Sequence, residues 1–391
     1  MEITDVEAIA MVWPSPERQF WTALRPAGGF SELIVRIHTD QGIVGIGEAH
    51  GSGAPFPGIY KRDANGKVHP DGASKIVVEI LKPMLIGQDP RNIEKLWDEM
   101  FKLNHSVGWT TAGWGRPQIM TAIAGVDIAL WDIKGKSANM PVYQLLGGTK
   151  NIVPCYVTGG YYQDGKTVSD LVEECESYVD MGYNAIKLKI GHVSVEEDFE
   201  RIRAVRESLG KEIDLMLDVN EGYDVETAIR AAKKMEPLDI RWLEEPVHWY
   251  DCVEGLSKVA SSTSIPIASG ESASNRWLAR DLILRGGIQV MQFDSTRSAG
   301  ISECLKVASM CSIQNVKLAP HHDPQVHGHI VAALPIGEIV ETFPSGDRDP
   351  IWEELFSIRP EIIDGQLHLL DRPGWGVEID ESILEKRGTW A

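Results

Sequence analysis

From Asn184 onward the sequence keeps a beat. Short apolar runs end in or near charged residues: Ala-Ile-Lys187-Leu-Lys189-Ile, Leu-Met-Leu-Asp218-Val-Asn220, Arg-Trp-Leu-Glu244-Glu245-Pro246 and Ala-Ser-Gly-Glu271. The series continues through Met-Gln-Phe-Asp294, Leu-Ala-Pro-His321 and Ile-Val-Glu341. The steps from Lys189 to Asp218, Glu244, Glu271, Asp294, His321 and Glu341 are 29, 26, 27, 23, 27 and 20 residues. A strand, a helix and their two turns consume ~30 residues. Such alternation specifies parallel β/α units. Eight of them close into a barrel whose strand C-termini carry the chemistry. The expected fold class is therefore α/β, a TIM-type barrel with a ring of charges at one mouth.

The chain has 391 residues, more than the ~250 of a bare barrel. Its N-terminal part reads differently. Glu32–His38 and Ile43–Glu48 form a hairpin around Thr39–Gly42, and helical patterns follow over Ala73–Leu103 and Ile119–Ser137. This is an α+β domain ahead of the barrel, and no Ser/Pro-rich linker separates the two. The expected division is 1–128 for this capping domain, 129–355 for the barrel and 356–391 for a C-terminal segment. Within that segment Glu361–Glu378 reads as a short strand pair returning to the capping domain. Barrel strand one is expected at Ile152–Val157 and strand two at Ala185–Ile190. Loops at Pro14–Phe30, His50–Pro57 and Gly108–Gly115 offer Phe20, Trp21 and Phe56 as ligand contacts.

The net charge of -19 lacks the basic footprint needed for nucleic acid or anionic membranes, and no run of 18 apolar residues offers a membrane span. The five cysteines form no C-x-x-C pair, and the first residues carry no basic-then-apolar leader. A cytoplasmic location with reduced thiols is expected.

Lys187 and Lys189, two apart on a strand, point to the same side, opposite Ile186, Leu188 and Ile190. Facing the barrel interior, they require opposite charge nearby; rim lysines neutralised by chance are the alternative. Asp218, Glu244 and Glu271 end three successive strands. Three converging carboxylates repel unless a cation holds them, and an oxygen-only set suits Mg²⁺. Structural ion pairs with the lysines are the competing reading. Asp294 and His321 end neighbouring strands, where the carboxylate would fix the imidazole tautomer. His322, His327 and His329 follow closely, so which histidine faces the site is open; His321 fits best, directly after Leu-Ala-Pro. Glu341 closes the ring, as a proton donor or an ion-pair partner.

With these residues in place the chain resembles the enolase superfamily, mandelate racemase-like subgroup. The resemblance rests on Ala122–Lys136, on Pro141–Gly148, and on the K-x-K, D-x-N, E-E-P and G-E motifs above. It implies a modified (β/α)7β barrel with an α+β cap, and Mg²⁺ on Asp218, Glu244 and Glu271. It also implies Asn220 near the substrate hydroxyl, Lys187 against the substrate carboxylate, and Glu341 donating to an enediolate oxygen. His322 is expected beside the substrate as well. Lys189 and the Asp294–His321 pair would be acid/base groups on opposite faces, in a family that pairs such a base with Mg²⁺. For Lys189 to act as base, crowding by Lys187 and the metal is expected to lower its pKa. One departure is Ser298-Ala299-Gly300, where relatives usually show paired glycines.

The implied activity is removal of the proton α to a carboxylate, and dehydration of an acid sugar or small polyhydroxy acid to a 2-keto-3-deoxy acid is favoured. A racemase or epimerase of a 2-hydroxy acid uses the same residues, and a catalytically silent sugar-acid-binding protein is the third reading. The expected partner is a small-molecule carboxylate, and a homo-oligomer is expected on family grounds.

Overall fold

The computed structural model describes residues 1–14, 19–27, 30–50, 59–105, 114–344, 346 and 348–391. Phe56, and most of the loops around it and around Gly108, lie outside the described residues.

The cap is built on an antiparallel sheet of β1 (Ile3–Val12), β2 (Ser31–Thr39) and β3 (Val44–His50), with β1 and β3 flanking β2. Three glycines bring a helix unusually close to this sheet. A Cβ at Gly47 would lie 1.9 Å from the Gly125 carbonyl oxygen, and one at Gly45 would lie 2.4 Å from that of Ala129. Gly125 in turn faces Val35. The helix is α2 (Arg116–Ala138), after α1 (Ile93–Phe101); it is buried along most of its length, as its apolar sequence requires. Its other side meets the barrel: Trp131 Nε1 donates to Ser302 Oγ (3.1 Å), and the Ser302 hydroxyl donates to Asp127 (2.6 Å). The expected boundary at 128/129 thus falls inside a continuous helix. We propose that the division lies after Ala138, where the helix ends.

The barrel runs β4 (Ile152–Gly159), α3 (Val168–Asp180), β5 (Ala185–Lys189), α4 (Val195–Leu209), β6 (Asp214–Asp218), α5 (Val225–Met235) and β7 (Ile240–Glu244). It continues with α6 (Glu254–Ala260), β8 (Ile267–Ser269), α7 (Arg276–Asp281), β9 (Val290–Met291), α8 (Ile301–Gln314), β10 (Lys317–Leu318), α9 (Pro324–Ala333) and β11 (Val340–Thr342). The strands pair in parallel, and β11 returns to β4 to close the ring. Side-chain caps set several helix starts: the Thr167, Ser194 and Asp224 side chains accept from backbone N–H groups three residues on. Inside, the strands and the segments adjoining them contribute Tyr156, Ala185, Met216, Trp242, Ala268, Val290, Ala319 and Ile339 to one packed layer. Two residues further along three of these strands stand Lys187, Asp218 and Glu244, on the same inward face.

The C-terminal segment does two things. Its strand pair, β12 (Glu361–Ile363) and β13 (Gln366–His368), lies against the N-terminal end of β4, with Leu367 opposite Val153. It therefore caps the barrel floor rather than the capping domain. The return to the cap comes later, when β14 (Gly388–Trp390) pairs with β1. Among the described residues no helix is long and apolar enough to cross a membrane. All five cysteines are free and buried.

Candidate active site

The strand alternation that puts Ile186 and Leu188 into the outer core sends Lys187 and Lys189 inward. Lys187 is wholly buried, 5.3 Å from the Tyr156 ring centroid, and its Nζ reaches Glu244 (2.5 Å), Glu341 (2.8 Å) and Asp218 (3.9 Å). Lys189 contacts Asp218 directly and sits 5.2 Å from the Tyr161 ring centroid. Burial opposes charge on both lysines, but the facing carboxylates outweigh it and lift both pKa values, with Asp218 acting most on Lys189. The expected lowering at Lys189 is thus corrected: Asp218, in direct contact, more than offsets burial and the nearby Lys187 charge.

Asp218, Glu244 and Glu271 converge as expected, each offering a ligand atom within 4.8 Å of the others. They fit a hard divalent cation. The donors are all carboxylate oxygens, and in this structure the two ammonium groups stand in as the counter-charge. Neighbours fix the ring. Glu244 Oε2 accepts from Gln292 Nε2 (2.6 Å) and Trp242 Nε1 (3.0 Å), and Asp218 Oδ1 accepts from the Asn220 N–H (2.8 Å). Burial and then the charges around it leave Glu244 at about 7 despite Lys187. Burial also works against the charge of Glu271, but His321 and Arg297 prevail and bring it to about 2.

Across the ring His321 Nδ1 is held by Asp294 Oδ2 at 2.9 Å, and its Nε2 faces Glu271 at 3.7 Å and Glu341 at 4.0 Å. Glu341 is fixed from strand one by the Thr158 hydroxyl (2.5 Å) and by the backbone N–H of His322 (3.0 Å). Of the two adjacent histidines, His321 faces the carboxylates. The chain turns through a left-handed conformation at His322 (φ 56°), which carries that ring to Asp323 and His50 instead. His322 therefore stands behind the site rather than within it. His327 and His329 are buried elsewhere, His327 against Ser295 and His329 against the Tyr143 N–H. Asn220 (φ 44°) has a buried side-chain oxygen with no donor among the described residues.

Arg297, Gln292 and Thr158 escaped the sequence reading. Arg297 approaches Asp294 (3.3 Å) and Glu271 (3.5 Å). Its signal was available, three residues after Asp294 on the same loop; Gln292 and Thr158 carry no motif. Above the triad lies a cavity of about 290 Å³ whose walls include Arg25, His50, Trp249, Tyr250, Glu271 and Arg297. Phe20 and Trp21 pack onto the barrel loops: Phe20 meets Tyr161 edge-on at 5.1 Å, and Trp21 stacks on His192 at 6.0 Å. At Ala299 the backbone takes φ 61°, the conformation that explains a preference for glycine there, and Gly300 (φ 87°) leaves no room for a Cβ beside Asp127.

The mandelate racemase / muconate lactonizing enzyme N-terminal domain profile matches residues 6–147, and the enolase C-terminal domain-like profile matches 170–383. The chain belongs to this family. It is an enolase-superfamily enzyme of the mandelate racemase-like subgroup, with that superfamily's cap and barrel. Among the family's members, the arabinonate dehydratase of Saccharolobus solfataricus is 36% identical over 361 residues, 90% of each chain. The L-talarate/galactarate dehydratase of Salmonella typhimurium is 34% identical over 359 residues, 91% of this chain and 82% of that one. A variant of that enzyme solved with Mg and L-glucarate superposes with a TM-score of 0.86 at 31% identity, over 100% of this chain and 92% of the other. A racemase from Streptomyces coelicolor with bound magnesium reaches a TM-score of 0.85 at 28% identity, over 99% and 100% of the two chains.

Proposed function

We propose that this family member dehydrates an acid sugar, an aldonate or aldarate, to a 2-keto-3-deoxy acid, with Mg²⁺ on Asp218, Glu244 and Glu271. The observation that carries the reading is the pairing of two proton-transfer groups across one carboxylate triad. Lys189 stands beside Asp218, and His321 stands beside Glu271 with Asp294 behind it. A binding protein has no use for a base on each side.

Bound there, Mg²⁺ supplies Lewis-acid stabilisation of the charge that develops on the substrate carboxylate. Lys187, buried among the acids, adds a fixed positive charge toward the same oxygens. Glu341 borders that position from β11; burial opposes its charge, but Lys187, His321 and Lys189 hold its carboxyl well below the ordinary range, so it serves there as an acceptor and a counter-charge to Lys187. Asn220 offers its unpartnered oxygen to a substrate hydroxyl. Lys189 or His321 takes the α-proton. His321, oriented by Asp294, then protonates the departing β-hydroxyl, with the α-proton where it is itself the base and with a proton it already carries where Lys189 is. The dehydratases among the relatives support the lyase outcome over proton return to the opposite face, and the magnesium-bound racemase supports the second reading.

The test is a library of aldonates and aldarates assayed for 2-keto acid release, with solvent-deuterium exchange at the α-carbon followed in parallel. Keto acid formation is the expected result. Exchange without it would replace dehydration by racemisation, and neither signal on any member would remove the proposal.

A further inference from the structure

Where the cap sheet meets the barrel, a second set of ionisable side chains is shut in. Glu32 comes from β2, and Glu48 and His50 from β3; His322 and Asp323 follow β10, and Asp349 follows β11. All six are buried. Most of the acids have a donor: Glu48 accepts from Gln325 (2.8 Å), Asp323 from the Thr296 hydroxyl (2.7 Å), and Asp349 from the Trp352 N–H (3.0 Å). Glu32 does not. Among the described residues both of its oxygens are fully enclosed without a hydrogen-bond partner, and so is His50 Nδ1. Burial, and then the acids around it, push the Glu32 carboxyl well above the ordinary range; an acid shut in this way ionises only where a cation is brought beside it.

Beside it, three side chains converge as metal ligands would. His50 Nδ1 stands 3.4 Å from Glu32 Oε2, and His322 Nδ1 stands 2.9 Å from Asp323 Oδ1. The two imidazole centroids are 4.5 Å apart. His50, His322 and Asp323 each offer one ligating atom, all within 4.8 Å of one another.

We infer that His50, His322 and Asp323 form a second divalent-cation site, with Glu32 as the outer partner of His50, distinct from the Asp218–Glu244–Glu271 triad and suited to a zinc-like ion. Two imidazoles with a carboxylate select a borderline cation such as Zn²⁺, whereas the oxygen-only triad selects Mg²⁺. Ligands come from both units, so the ion clamps cap to barrel. It also fixes the backbone at His322, from whose neighbour His321 projects. His50 lines the cavity above the triad and gives the ion a route in. Without an ion, burial disfavours charge on His322 while Asp323 and Asp349 favour it and lift its pKa to about 10. Such a proton answers those two acids and still leaves Glu32 without a hydrogen-bond partner.

The experiment uses the full chain, stripped with a chelator, saturated with Mg²⁺ to fill the triad, and titrated with Co²⁺ as a spectroscopic substitute for Zn²⁺. Visible absorption reports stoichiometry, and X-ray absorption reports imidazole ligation. One Co²⁺ per chain with nitrogen ligands is expected. His50→Ala and the near-isosteric Glu32→Gln should each weaken it at least about tenfold, with circular dichroism confirming the fold. Asp218→Asn should leave Co²⁺ uptake unchanged. The inference is overturned if Mg²⁺ blocks uptake, if no nitrogen ligand is seen, or if uptake follows Asp218→Asn and ignores both cap variants.

Discussion

The molecule buries two groups of carboxylates and treats them differently. At the barrel mouth each acid faces a cation or a fixed N–H: Asp218 has Lys189, Glu244 has Lys187 and Gln292, and Glu271 has Arg297 and His321. At the cap–barrel seam Glu32, Glu48, Asp323 and Asp349 gather around two histidines, and Glu32 has no hydrogen-bond donor among the described residues, only His50 Nδ1 at 3.4 Å. The contrast separates two ways of burying charge. The mouth carries its own counter-ions on neighbouring strands, so it stays assembled before a metal arrives. The seam depends on groups from two units and lacks the charge to balance them.

The largest expected effect breaks the mouth. Chelation with EDTA should abolish turnover and Mg²⁺ should restore it, measured by 2-keto acid release; indifference to both would sever the triad from the chemistry. Next, Lys189→Ala and His321→Ala should each cut kcat by about 10²–10⁴-fold, the usual worth of a positioned acid or base, while the thermal melt keeps its cooperative form. Retained activity in both would move proton transfer elsewhere.

A smaller effect tests the frame that holds the two groups together. Gly47→Ala would drive a methyl to 1.9 Å from the Gly125 carbonyl oxygen. Forced overpacking of this kind costs about 1–3 kcal/mol, read as a lowered Tm with the cap melting early. The smallest effect sharpens the comparison itself. In chelator-stripped protein Glu32→Gln replaces a carboxyl that burial already holds against ionisation, and should leave Tm nearly unchanged. In Zn²⁺-loaded protein the same change should lower it. The matching substitution at the mouth, Glu244→Gln, should destabilise stripped protein, because Lys187 then loses its contact at 2.5 Å.

Much of the mouth was legible before any coordinates. Alternation alone separates Lys187 and Lys189 from Ile186, Leu188 and Ile190, and spacing alone assigns Asp218, Glu244 and Glu271 to successive strand ends. Periodicity is a local property, and it survives translation into a barrel because every β/α unit repeats the same geometry. It failed where one backbone angle decides the outcome. His321 and His322 are adjacent and chemically alike, yet φ 56° at His322 sends one ring to the carboxylates and the other to the cap. The tail shows the same limit: the strand pair at 361–368 was readable, but its partner, the floor of β4, was not.

By itself, then, the sequence determined the barrel, the inward ring of charges and the family, since each is written in residues a few positions apart or at a constant interval. Only the tertiary structure decided which histidine enters the site, that Arg297 and Thr158 buttress it, and that Glu32 and His50 meet His322 and Asp323. The seam contacts join residues more than 270 positions apart, and no local pattern encodes a meeting that depends on how the cap sheet settles, through Gly45, Gly47 and Gly125, onto the helix shared with the barrel.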